Sequence, residues 1–275
     1  MQQDELQQIL DHLHRLPAIP AVVLELIREL GNDELNTDIL ARKIGHDPVL
    51  AARLLQIANS PFYGLSRQVG SLNEAIIILG LSSVRTLMVA VGIMHGWSGL
   101  PAHLFDRKDY WRRNFRVAQM ARYLAFQTDQ NPDMGFTAGL LHDIGQLVLL
   151  NEKPESYPAI LNESHDGDDL IAREYARFGF DHAMLGEGVA RRWNFPLEIQ
   201  QAIAWHHHVE QAIHQPLAMV VCLADWLEGQ LHQNASVADI LKGMPVLLYE
   251  RFPADMVEAA LEVAGSAEKE LTWLL

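Results

Sequence analysis

The residues of this sequence best suited to chemistry are imidazoles and carboxylates set in apolar surroundings. His142 and Asp143 stand together inside AGLLHDIGQLVLL, where an unpaired carboxylate costs several kcal/mol or is forced to take up a proton. A metal ion would satisfy both side chains at once, and hydrogen bonds to each other or to the backbone are the alternative. His182, in GFDHAMLGEGVARRW, falls in the first turn of a helix that Asp181 can cap. The helix dipole disfavours a cationic imidazole there and leaves the neutral form that a metal needs, although an ordinary surface histidine fits the spacing as well. In AWHHHVE three histidines, His206, His207 and His208, follow an apolar helix. Helical neighbours point about 100° apart, so at most two can converge on one centre unless the helix ends there. A helix C-terminus decorated with His is the alternative. Asp225, in MVVCLADWLEG, is a lone carboxylate on an apolar stretch, which a cap or a hydrogen bond to a core Trp or His would also explain. Together these side chains form a ligand set for Fe, Mn, Zn or Ni rather than for Mg or Ca alone, and helical bundles build such sites from facing helices.

The elements that must position them read as helices. Apolar residues recur at three- and four-residue spacing, and strand-like alternation is hard to find, so the expected fold is all-α. LPAIP at 16–20 ends a first short helix and opens a second, AVVLELIREL, that stops at Gly31. Asn36 or Thr37 caps ILARKIG, and Pro48 starts VLAARLLQIA. SPFYGLSRQVGS, with Pro61, Gly64 and Gly70, is a loop before helices at 72–80 and 82–95. Asn59 and Tyr63 at this loop have the chemistry of turn residues, with Asn59 a candidate to cap or to bridge the two halves of the chain. A break at 96–105 separates two packed helical subdomains, an N-terminal one over 1–98 and a second over 99–235. The second holds a long helix at 107–127, one helix through AGLLHDIGQLVLL, and helices near 155–164, 168–178, 181–193, 196–207 and 215–230. Residues 236–275 form a tail of two or three short helices.

The chain has 275 residues, 49% of them hydrophobic and 20% charged, enough to bury a sizeable core. Its 21 Lys and Arg against 35 Asp and Glu give a formal charge of −14, which disfavours a nucleic-acid binder because phosphates require clustered cations. Helices at 37–58 could suggest a helix-turn-helix, but Arg42, Lys43 and Arg53 barely exceed Asp38 and Asp47. The single cysteine, Cys222, excludes a disulfide framework and a Cys-based zinc cage. The start, MQQDELQQIL, lacks the pattern of a secretory signal, and no stretch reaches the ~18 apolar residues of a membrane span. The expectation is a cytoplasmic protein with no membrane partner. Histidine is the compositional oddity, with 13 in the chain.

The string HD in LLHDIGQL, the downstream His182, the pair His206-His207 and Asp225 in ADWLE resemble the HD superfamily of metal-dependent phosphohydrolases, and the later histidines are similar to its HD-GYP branch, which hydrolyses cyclic di-GMP. LPAIPAVVLELIREL, IGHDPVLAARLLQIANSPFYG and VGSLNEAIIILGLSSVRTLMVA resemble the HDOD domain, an HD-related output domain of bacterial signalling proteins, and that resemblance runs from about Leu16 to Leu227. It implies an all-α fold whose C-terminal part is HD-like, and metal ligands at His142, Asp143, His182, His206, His207 and Asp225. In YWRRNFRVAQMA it puts Arg113 at the position of the first metal-binding His. Arg is permanently protonated and cannot ligate, so it removes a donor, and in a metal-free centre it would pair with Asp143 or Asp225. Gln146 stands where many HD enzymes have Lys, and the residues after His207 lack the GYP segment. One metal position on Asp143, His182, His206 and His207 would survive, while a neighbouring one relying on position 113 would be impaired. A two-metal phosphodiester hydrolase needs both ions. The expected function is therefore a signalling output module that acts through contacts with signalling proteins, with a retained or degenerate metal site and little or no hydrolysis. The alternative is an active phosphohydrolase for a nucleotide or cyclic dinucleotide, with Asp143 in its catalytic centre. A small phosphorylated ligand would have to be drawn in by the metal or by Arg113.

Overall fold

The computed structural model describes residues 2–12, 19–30, 36–63, 65, 67–101, 103–164 and 166–274. Among them the regular structure is helical and no β-strand occurs, as the periodicity requires. Leu16, Gly31 and Gly64, which carry expected helix ends and a turn, lie outside the described residues. The helices are, in order, α1 (Gln2–Asp11), α2 (Ala21–Arg28), α3 (Thr37–Gly45), α4 (Pro48–Ala58), α5 (Leu72–Leu79), α6 (Leu81–Gly96), α7 (Arg107–Gln127), α8 (Pro132–Leu141) and α9 (Ile144–Glu152). They continue as α10 (Tyr157–Glu163), α11 (Gly167–Phe178), α12 (His182–Arg192), α13 (Leu197–Trp205), α14 (Val209–Ala212), α15 (Pro216–His232), α16 (Val237–Gly243), α17 (Val246–Arg251) and α18 (Ala254–Leu274).

The chain divides into two compact units, Pro17–Gly99 with Glu268–Leu275, and Met1–Leu16 with Leu100–Ala267. In the first, α2 to α6 pack around Leu26, Leu40, Ile44, Leu54 and Val84, all fully buried. Asn36, rather than Thr37, caps α3 by accepting from the Ile39 amide at 3.0 Å. Asp47 caps α4 with Pro48 in its first turn. Asn59 ends α4 and clamps the following loop: its Oδ1 accepts from the Val69 amide at 2.7 Å and its Nδ2 donates to the Val69 carbonyl at 2.9 Å. Lys43, in the stretch weighed as a helix-turn-helix, is spent on Glu25 and Glu29 at 2.9 and 2.8 Å.

In the second unit α7 lies along α8 and α15, α13 lies against α8, α12 and α15, and α9 packs on α12. Trp111, Phe115, Met120 and Leu124 from α7 are buried in this core with Phe136, Leu140 and Leu223, each contributing about 1.5–3 kcal/mol by leaving water. Two expectations are corrected here. AGLLHDIGQLVLL is not one helix, because α8 stops at Leu141 and α9 starts at Ile144. The tail holds two short helices, α16 and α17, but then α18 of 21 residues. No single helix among the described residues is long and apolar enough to cross a membrane, and the one apolar pair, Leu72–Leu79 with Leu81–Gly99, is bent by 110°.

Candidate metal centre

Each candidate ligand sits where a helix begins, ends or crosses another. The break between α8 and α9 places His142 and Asp143 in the junction itself, and two bonds stabilise it: the Asp143 carbonyl accepts from the buried Tyr110 hydroxyl at 3.0 Å and from the Gln146 amide at 2.9 Å. His182 is the first residue of α12, whose cap is the Asp181 side chain bonded to the Met184 amide at 2.8 Å. α13 ends at Trp205, so His206 and His207 leave the helix together and both reach one centre, while His208 turns away to begin α14. Asp225 projects from the middle of α15.

These six residues converge. His182 Nε2 lies 3.1 Å from Asp143 Oδ1, 3.3 Å from His206 Nε2 and 3.2 Å from His207 Nε2. Donor atoms of Asp143, His182, His206 and His207 all lie within 4.8 Å of one another. A second group shares His206 with His142 and Asp225: His142 Nε2 is 3.3 Å from Asp225 Oδ1 and 3.4 Å from Asp143 Oδ2. His207 Nδ1 approaches Asp225 Oδ2 at 3.4 Å.

The outer nitrogens decide what faces inward. His142 Nδ1 donates to the Gly139 carbonyl and His206 Nδ1 to the Ile203 carbonyl, both at 2.7 Å. His182 Nδ1 donates to Glu174 Oε2 at 2.8 Å. With the ring protons occupied outside, the Nε2 atoms turn lone pairs toward each other and toward Asp143. Asp143 Oδ1 is buried and has no well-aligned hydrogen bond. Facing acceptors repel one another unless something positive stands between them, and either a proton on one Nε2 or a cation placed among them relieves the conflict. Three imidazoles and one carboxylate at this spacing therefore fit a divalent transition metal.

The electrostatics are those of an acid and base cluster. Burial opposes a charge on Asp143, but the imidazoles of His142 and His182 outweigh it and hold the carboxyl well below its ordinary range. Burial likewise opposes protonation of His182, and Glu174 and Asp143 overcome it, so the imidazole titrates well above its usual value, the reverse of what the helix dipole alone leads one to expect. The added proton sits on Nε2, where a bound cation would take its place. His206 and His207 are pushed down, mainly by burial and then by neighbouring rings. Asp225 is held low, against its burial, by His207 and His142.

Arg113 does not reach the carboxylates proposed for it. Its ion pair is with Glu228, at 3.9 Å from Nε to Oε1, one turn beyond Asp225 on α15. Arg116 binds the same Glu228 oxygen more closely, at 2.6 Å. Two residues of the surroundings were not foreseen, Glu174 and Glu228, both almost fully buried. Glu174 left a signal in its spacing: on α11 the buried stripe runs Leu170, Glu174, Phe178, an acid where the period demands an apolar side chain.

The HDOD domain profile matches residues 16–209. The fold is similar to a crystal structure from Shewanella amazonensis described as a candidate phosphohydrolase, with a TM-score of 0.80, 26% identity and 98% of each chain covered. It is also similar to a candidate signal transduction protein from Marinobacter aquaeolei, with a TM-score of 0.77 and 21% identity over 99% of this chain and 65% of that one. In sequence the chain is 26% identical over 233 residues to an uncharacterized protein of Treponema pallidum, covering 81% of this chain but only 44% of that relative.

Proposed function

Since the chain belongs to the HDOD domain family, we propose that it is a signal-transduction output module that binds a transition-metal ion and acts through contacts with other signalling proteins, with little or no hydrolase activity. Asp143, His182, His206 and His207 hold the ion, which would supply Lewis acidity toward a phosphoryl oxygen. His142, with its Nδ1 proton on the Gly139 carbonyl, and Asp225 flank that group. The observation that carries the low activity is Arg113: a guanidinium paired with Glu228 stands where the family resemblance puts an imidazole ligand. The second group, His142, His206 and Asp225, is thereby one donor short, and phosphodiester hydrolysis on two ions requires both to be held.

The net charge of −14 supports a protein partner over nucleic acid. A small phosphorylated ligand would depend on the metal for its attraction. The competing reading, an active phosphohydrolase, draws on the same second group, whose three donors are in place. Metal analysis of protein purified without added metal, followed by assays on nucleotides and cyclic dinucleotides with Mn, Fe, Zn or Ni, separates the two. The expected result is bound transition metal, lost in Asp143→Asn and His206→Ala, with no turnover at ordinary enzyme rates. Turnover abolished by those same substitutions would overturn the output-module reading in favour of the enzyme.

A further inference from the structure

We infer that Glu174, itself held by Tyr157, is the positioning residue that makes His182 a metal ligand; the inference rests on the metal reading above. The argument begins with where the histidines stand. His142 and His206 follow the last turns of α8 and α13, where the carbonyls three residues back, Gly139 and Ile203, are free to accept their Nδ1 protons. His182 begins α12, and the start of a helix presents N–H groups, not carbonyls. An acceptor must come from elsewhere. Glu174 supplies it from α11: Oε2 accepts both the His182 backbone N–H and its ring Nδ1–H, each at 2.8 Å. The other oxygen, Oε1, accepts from the Tyr157 hydroxyl at 2.5 Å.

Glu174, His182 and Tyr157 are all fully buried. A carboxylate in such a place is expensive, and an apolar residue would complete the Leu170 and Phe178 stripe at no such cost. What the carboxylate adds is direction. Two bonds to one residue fix the ring of His182 about its own backbone, put the proton on Nδ1, and leave Nε2 aimed at Asp143, His206 and His207. Acceptors behind a ligating imidazole set its tautomer and its basicity, and losing one commonly costs 10–100-fold in metal affinity.

The test uses the full chain and Zn alone, with affinity measured by competition against a chromogenic chelator and folding checked by circular dichroism. Glu174→Leu, which cannot accept, is expected to fold and to bind Zn about 10–100-fold more weakly than wild type. Glu174→Gln retains an acceptor oxygen for His182 and is expected to fall between the two, as is Tyr157→Phe. In the 15N–1H spectrum of the Zn-loaded protein, the slowly exchanging Nδ1 proton of His182 should be present in wild type and in Glu174→Gln and lost in Glu174→Leu. If Glu174→Leu does not fold, the Glu174→Gln and Tyr157→Phe affinities decide. Wild-type affinity in every folded variant would overturn the role of Glu174 while leaving the metal centre standing. A wild-type protein that binds no Zn, Mn, Fe or Ni would overturn both.

Discussion

At the scale of single residues the proposed lack of hydrolysis turns on position 113, where the family resemblance expects a ligand His and this chain has Arg. Arg113 is 42% exposed at its side chain and lies 3.9 Å from Glu228, whereas Arg116 is the closer partner of that buried acid, at 2.6 Å. Arg113→His should therefore leave Glu228 paired while adding an imidazole donor to the group of His142, His206 and Asp225. The expected outcome is a rise in bound metal from about one toward two ions per chain by elemental analysis, and an unchanged stoichiometry in a folded variant would refute the idea that position 113 limits the second ion. Arg116→Ala makes the opposite case, because it strips the close partner from a carboxylate that burial already pushes toward protonation. Urea denaturation should show a loss of about 1–3 kcal/mol, because a buried acid loses its close partner while Arg113 stays 3.9 Å away. At this scale the sequence was informative wherever a polar side chain interrupted an apolar run, as His142, Asp143 and Asp225 do. Glu174 is inconspicuous in the sequence because α11, GDDLIAREYARF, is rich in acids, and only the helical period sets it on the buried face with Leu170 and Phe178.

At the scale of elements, the centre exists because two helices stop at its edge, one of them where its apolar pattern does not. Apolar periodicity runs through AGLLHDIGQLVLL without Gly or Pro at the break, so a single helix was the natural reading, and only the tertiary bond from Tyr110 to the Asp143 carbonyl marks the interruption. The end of α13 at Trp205 was easier to anticipate, since three adjacent histidines cannot share a centre on a continuing helix. Crossing geometry is the other requirement. Gly145 on α9 lies against the start of α12 so closely that an added Cβ would stand 2.0 Å from the His182 carbonyl oxygen. That neighbour is backbone and cannot turn aside. Gly145→Ala should therefore push α9 and α12 apart, costing about 1–3 kcal/mol as overpacking does and weakening metal binding through the displaced His182. Gly229→Ala on α15 is the matched control, with no atom within 4 Å of the added carbon. It should be neutral or gain up to about 1 kcal/mol from helix propensity, and equal losses in the two variants would show that the crossing is not tightly constrained.

At the scale of the whole molecule, every candidate ligand and every residue that supports one falls in the unit formed by Met1–Leu16 and Leu100–Ala267. The helical class of both units is legible from spacing, because apolar residues recur every three or four positions and strand-like alternation is hard to find. The participation of α1 in the second unit was not legible, since it depends on contacts between residues more than a hundred positions apart, such as Lys153 with Glu5. A ligand that binds only folded protein stabilises it by mass action, by about 2.7 kcal/mol when its free concentration is 100 times Kd. For a chain of this size that corresponds to a rise of roughly 5–10 °C in the transition of the unit that binds it. The expected experiment is calorimetry with Zn or Mn, reversal by excess chelator, and no response in Asp143→Asn. Hydrogen exchange should report the same gain in α8, α9, α12 and α13, whose ends carry the donors. A metal-induced rise that persists in Asp143→Asn would place the stabilising ion somewhere other than among His182, His206 and His207, because their inward lone pairs lose the one carboxylate that balances the ion's charge at that centre.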